Sequence, residues 1–106
     1  MGDAVVNRKE LQDGTVVIDL RGELDLAINE ALRTLLIDTA RQHPARIVVD
    51  MLHVSFVDST GIGALAAGYT AARNASVPFT VRHLAPFIAE QLRMTGLYEH
   101  LVAADG

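Results

Sequence analysis

The sequence predicts an α/β fold: a four- to five-stranded mixed β-sheet with helices packed mainly on one side. Three observations lead there. Strand-like and helix-like stretches alternate after an N-terminal hairpin, which implies right-handed crossovers onto a partly parallel sheet. Ile47-Val48-Val49 is the short β-branched run of a strand covered on both faces. The stretch from Ser59 to Asn74 is rich in Gly and Ala, slim enough to lie close to a sheet. The 106 residues fit one domain, 1–106, with no linker or internal repeat. Folding a chain of this length buries about 65% of its surface, enough for a core without staples.

Each element has its own signal. Ala4 to Leu11 reads as a strand, and Gln12-Asp13-Gly14 as a turn in which Gly14 is free to take positive φ. Thr15 to Arg21 alternates, with Val16, Ile18 and Leu20 on one face and Val17, Asp19 and Arg21 on the other. Gly22 is expected to break that strand. Asp25 then caps a helix whose apolar stripe is Ile28, Leu32, Leu35 and Leu36, and Pro44 ends it. A strand over Arg46–Leu52 and a short loop lead to the helix Ser59–Asn74, with Ile62, Leu65, Ala66, Tyr69 and Ala72 inward. Pro78 opens a strand through His83, Pro86 suits a helix's first turn, and Gly96 with Leu97 closes that helix. Leu101-Val102 is read as a last short edge strand.

Composition removes several function classes. There is no cysteine, hence no disulfide framework, thiolate zinc site or thiol catalysis. His43, His53, His83 and His100 are too scattered for a local metal motif, so no metal or cofactor is expected. Nine basic against 13 acidic side chains give a formal charge of −4 without a basic run. That balance argues against nucleic acid or an anionic membrane as the main partner. Met1-Gly2-Asp3-Ala4 shows no basic leader, and no apolar stretch approaches the roughly 20 residues of a membrane span. A cytoplasmic protein is the expectation.

The informative segment is Val54 to Leu65, VSFVDSTGIGAL. Asp58, Ser59 and Thr60 are all capping residues, and they place a hydroxyl at the positive end of a helix dipole. An added phosphate would be favoured there. Asp-Ser-Thr before a helix is also an ordinary capping sequence. Its place at the end of a covered strand, where open α/β sheets carry their sites, gives it functional weight. Gly61 and Gly63 leave the backbone open to another surface.

Catalytic alternatives fail on particular residues. A nucleophile elbow needs glycine two before the serine, and Val57 stands there. A P-loop needs lysine after glycine, whereas Lys9 is the only lysine. A phosphoreceiver built on Asp50 would need an acidic pair and a late lysine, and has neither. The chain is not expected to be an enzyme.

Gly22-Glu23-Leu24-Asp25 before a helix, then Phe56-Val57-Asp58-Ser59-Thr60-Gly61, then Met94-Thr95-Gly96-Leu97 together resemble the STAS domain. Within it the chain is similar to the bacterial anti-sigma factor antagonists. The resemblance spans essentially the whole chain, with its motifs in order. It implies that the unmodified protein binds an anti-sigma factor serine kinase and so releases a sigma factor. That kinase would use ATP to phosphorylate the antagonist, and a PP2C-type phosphatase would reverse it. By the same resemblance Ser59 matches the phosphoacceptor, Asp58 the acid before it and Asp25 the acid near the same surface. Thr60 matches a second hydroxyl position, and Gly61 and Gly63 the small residues of partner approach. The alternative is a non-phosphorylated STAS interaction module, a signalling scaffold or the soluble accessory of a lipid or anion transporter.

Overall fold

A computed structural model describes residues 4–102. Its order is β1 (Val5–Glu10), β2 (Thr15–Leu24), α1 (Leu26–Arg41), β3 (Arg46–Val57), α2 (Ser59–Asn74), β4 (Phe79–Arg82), α3 (Pro86–Met94) and α4 (Tyr98–Leu101). The sheet has four strands in the order β1-β2-β3-β4. β1 and β2 are antiparallel, and β2–β3 and β3–β4 are parallel. The mixed sheet is the expected one. The reading of Met1–Asp3 and the last four residues of the 1–106 span lie outside the described residues.

The hairpin forms where the turn chemistry puts it. Gly14 takes φ +89°, and the Asp13 carboxylate accepts from the Thr15 amide at 2.9 Å. β2 then buries Val16, Ile18 and Leu20, as alternation requires. Gly22 does not break the strand. It adopts φ +88° inside β2, beside a register shift, so it acts as a bulge glycine and pairing runs on to Leu24.

β3 also outruns its expected end, reaching Val57 where Leu52 was expected. Asp19 pairs with Asp50 but Arg21 with His53, and Gly22 pairs with Val54 but Glu23 with Phe56. Two extra residues are therefore taken up in β3. Its core side chains fall at Ile47, Val49 and Met51, then at Val54 and Val57. That broken alternation is what made the segment look like a loop. Only Asp58 separates strand from helix.

Cover on the two faces of β3 is unequal. Ile47 and Val49 are fully buried in the core. Val48 shares the opposite face with Val17 and Thr80, and is still only 8% exposed. Further along that face Asp50 holds Arg82 at 3.3 Å and His83 at 3.0 Å, while Asp19 holds Arg21 at 3.1 Å. The helices lie mainly on the other face. Ile18, Leu20, Leu24, Leu32, Leu36, Met51, Leu65, Ile88, Leu92 and Leu101 make the core there, each worth about 1.5–3 kcal/mol when fully buried.

α2 packs chiefly on α1. Its slimness serves that contact more than the sheet. A Cβ added at Gly68 would stand 2.8 Å from Leu36 Cβ, and Gly61, Ala64 and Ala72 are buried along with it. Of the expected inward positions Ile62, Leu65 and Ala72 are buried, and Ala66 and Tyr69 are half-buried.

α3 starts on Pro86 and ends in the expected glycine cap. Gly96 takes φ +77°, its amide bonds to Arg93 O, and Leu97 N reaches Leu92 O at 2.9 Å. The expected edge strand at Leu101-Val102 is absent. Leu101 N and Val102 N bond back to Leu97 O and Tyr98 O, making one turn of helix that buries Leu101. Two apolar residues alone carry no period by which strand and helix differ. Among the described residues no helix is long and apolar enough to cross a membrane.

Gly68→Ala tests the helix contact. Overpacking costs about 1–3 kcal/mol, against the roughly 1 kcal/mol that alanine gains over glycine inside a helix. A lowered urea midpoint at unchanged m-value is expected. A raised midpoint would show that α2 is not held against Leu36.

Candidate functional site

The end of β3 delivers the chain directly into α2, and the junction is built around one carboxylate. Asp58 has extended backbone, and its Oδ1 accepts from the amides of Thr60 at 2.9 Å and Gly61 at 3.2 Å. The Thr60 hydroxyl also donates to it. Two of the four orphan amides of a helix start are thereby satisfied. The Thr60 hydroxyl first, then the amides of Gly61 and Thr60, hold the Asp58 carboxyl below its ordinary range, against the opposing effect of partial burial.

Ser59 follows as the first residue of α2 and is exposed. It stands at the rim of a groove of about 570 Å³ between α2 and the C-terminal half of α3. The groove is mostly apolar, lined among others by Phe56, Ile62, Ala66, Met94 and Leu97. Phe56 is 48% exposed and Met94 80%. Large apolar side chains left that open mark a surface suited to contact with another molecule.

The six residues singled out from sequence separate into groups. Asp58, Ser59 and Gly63 line the groove together. Thr60 turns the other way, toward α1, where with Gly63 it borders a smaller hollow beside Leu26, Glu30 and Arg33. Gly61 is buried, and a Cβ there would fall 2.2 Å from Val57 Cγ2. Its smallness serves the interior. Gly63 is exposed, with nothing within 4 Å of such a Cβ. Asp25 is exposed at the head of α1, where its carboxylate accepts from Ile28 N at 3.1 Å.

Sequence reasoning missed Asn29. It is 2% exposed, and its Nδ2 lies 2.8 Å from Thr60 Oγ1, 3.0 Å from Leu24 O and 3.4 Å from Asp58 Oδ1. Its Oδ1 has no partner, at a cost of about 1–3 kcal/mol. The signal was an amide beside Ile28 and four residues after the Asp25 cap, close to the apolar stripe. A polar side chain on an inward face demands a partner. Among the described residues no group of three His, Asp or Glu could hold a metal ion.

With this geometry in view, comparison with known proteins is informative. The family described as "Mlab, STAS domain" matches residues 7–103. An anti-sigma factor antagonist from Mycobacterium paratuberculosis is similar at 25% identity and TM-score 0.81, over 93% of this chain and 83% of that one. The anti-sigma factor antagonist SpoIIAA in its unphosphorylated form gives 22% and 0.80, over 94% and 88%. SpoIIAA, a Bacillus cell fate determinant, in its phosphorylated form gives 23% and 0.76, over 88% and 85%. The murine Slc26a9 anion transporter matches at 18% and 0.67, over 93% of this chain but 19% of its own length.

The Asp58 cap predicts a pH dependence. A carboxyl lowered by folding contributes stability above its unfolded value, near 3.9. That contribution is lost as pH falls through the folded value. The difference in Tm between wild type and Asp58→Asn is therefore expected to be full above about pH 4 and to shrink in stronger acid. A difference constant down to pH 2 would show that the Asp58 charge is not what caps α2.

Proposed function

Because the chain belongs to the STAS domain family, we propose that it is an anti-sigma factor antagonist, a regulatory binding module switched by phosphorylation of Ser59. The observation that carries this reading is an exposed serine at the start of α2, on the rim of an open apolar groove. The likeness to the Mycobacterium antagonist supports it. In this reading the unmodified protein binds an anti-sigma factor serine kinase through Ser59, Asp58, Gly63 and the groove, with Asp25 and Thr60 on the α1 side. The sigma factor is thereby freed. Gly61 acts from behind this surface, by letting α2 sit against Val57 and Asn29.

The switch step transfers the γ-phosphoryl group of ATP. The Ser59 Oγ–P bond forms, the bond from the γ-phosphorus to the bridging oxygen breaks, ADP leaves, and the hydroxyl proton passes to a base of the kinase. A PP2C-type phosphatase returns the hydroxyl by hydrolysis. The phosphate adds about −1.5 to −2 charge. At this helix start the amides of Thr60 and Gly61 are already engaged by Asp58, so the phosphate has little to fold back onto. It stands beside a carboxylate already held in its charged form. A partner closing over the groove must then desolvate a dianion, which costs several kcal/mol when unpaired. The fold need hardly change for affinity to fall.

A second reading has its own support. The family description names Mlab, and the domain also fits a fifth of an anion transporter. A non-phosphorylated module serving a transporter would use the groove and leave Ser59 unmodified.

Phosphate mapping after incubation with ATP and the cognate kinase decides between them. Modification is expected on Ser59 and not on Ser55, Ser76 or Thr60. Ser59→Ala is expected to bind the kinase but resist modification. Ser59→Asp, a good cap in its own right, is expected to keep the fold and to lose at least about tenfold in affinity, near 1.4 kcal/mol. Equal affinity of Ser59→Asp and wild type by calorimetry would favour the transporter module.

The exposed glycine separates contact from stability. Gly63→Ala is expected to gain up to about 1 kcal/mol of stability while weakening the partner. A variant that gains stability and binds normally would place the contact away from α2.

A further inference from the structure

We infer that Asn29 is a positioning residue for Ser59: from inside the fold its side-chain amide ties the end of β2 to the head of α2 and sets the cap from which the serine is presented. The inference rests on the reading of Ser59 as phosphoacceptor.

The argument starts from the protons. Nδ2 has two hydrogens and two near acceptors, Leu24 O at 3.0 Å and Thr60 Oγ1 at 2.8 Å. Asp58 Oδ1, at 3.4 Å, can take only a share. Since the Thr60 hydroxyl accepts from Asn29, its own proton is directed to Asp58, where the structure puts it. The donor order is thus set as Asn29, Thr60, Asp58. The carboxylate at the end of that chain is the one that receives the Thr60 and Gly61 amides on either side of the first turn of α2.

The identity of the residue carries the rest. Position 29 is as buried as the leucines at 32 and 36. A leucine there would leave no polar atom orphaned, whereas asparagine leaves Oδ1 without a partner. A buried amide kept at that cost is explained by what its donors do. Gly61 leaves the space for it, since a Cβ there would lie 3.2 Å from Nδ2 and 3.3 Å from Oδ1. An aspartate would set a second buried negative charge against Asp58. Asn29 also sits in the first turn of α1, its amide nitrogen bonded to Asp25 O at 2.9 Å. One side chain therefore holds the heads of α1 and α2, and with them Asp25 and Ser59, in a common frame.

The test pairs Asn29→Leu, which keeps the bulk and removes the donors, with Thr60→Val, which cuts the same chain one link on. Both are read well below their melting temperatures. For Asn29→Leu the rate constant of Ser59 phosphorylation by the anti-sigma kinase is expected to fall about tenfold, with KM changed less. In both variants the titration of Asp58, followed by NMR, is expected to move up toward the ordinary carboxylate range. The double variant is expected to lose no more than the larger single loss, because both break one chain. If Asn29→Leu fails to fold, the Asp58 titration and phosphorylation rate of Thr60→Val decide. Wild-type rate constants and an unmoved Asp58 in a folded variant would overturn the inference alone. Absence of phosphate on Ser59 in the wild-type protein would overturn the reading of Ser59, and this inference with it.

Discussion

α2 approaches α1 through side chains that are not there, and the rest of the site is built on that contact. Gly68 lets Leu36 close on the helix backbone, and Gly61 does the same for Val57 and for the amide of Asn29. Close approach of the two helices brings their N-termini together. It lets a buried side chain on one cap the other. Interiors pack as densely as organic crystals, so a contact of this kind either forms completely or displaces its neighbours. The exposed half of the same helix start, Ser59 and Gly63, is consequently presented by a rigid base.

Much of this was legible in the sequence because it rests on local rules. The turn at Gly14, the cap at Asp25, the helix from Ser59 to Asn74 and the glycine cap at Gly96 all depend on a residue and its near neighbours. The span of α2 and the start of α3 at Pro86 are as read. What was not legible depends on partners distant in sequence. Gly22 looks like a strand breaker until its partner strand is known to shift register beside it. Val54–Val57 looks like a loop because two added residues disturb its alternation. The final turn at Tyr98–Leu101 is helical although Leu101-Val102 alone would suit a strand equally well.

The candidate site shows the same division. Asp58, Ser59 and Thr60 announce themselves as capping residues, and their placement together is a consequence of chain continuity. Asn29 is 29 residues from Asp58 and carries no motif. Only the fold brings it within reach of Thr60. Conversely, Gly61 and Gly63 read alike in sequence, yet one is buried against α1 and the other faces outward. The periodicity of a helix distinguishes them once it is known which face meets a neighbour. Small size therefore means internal fit at one position and access at the other.

The two extra residues in β3 have a consequence for how this chain can change its length. Each added residue turns the side chains beyond it to the opposite face of the sheet. Two of them cancel: Val57 returns to the face of Ile47, Val49 and Met51, and Phe56 points away from it. The strand thus counts in parity. Loss of one residue between Leu52 and Ser55 would send Phe56 inward and Val57 outward, and would rotate everything that follows on the chain. Loss of both would restore the phase in a shorter strand. Tolerated insertions and deletions in this segment should therefore come in pairs, an even-number rule imposed by geometry on the genetic drift of a surface that lies beyond it.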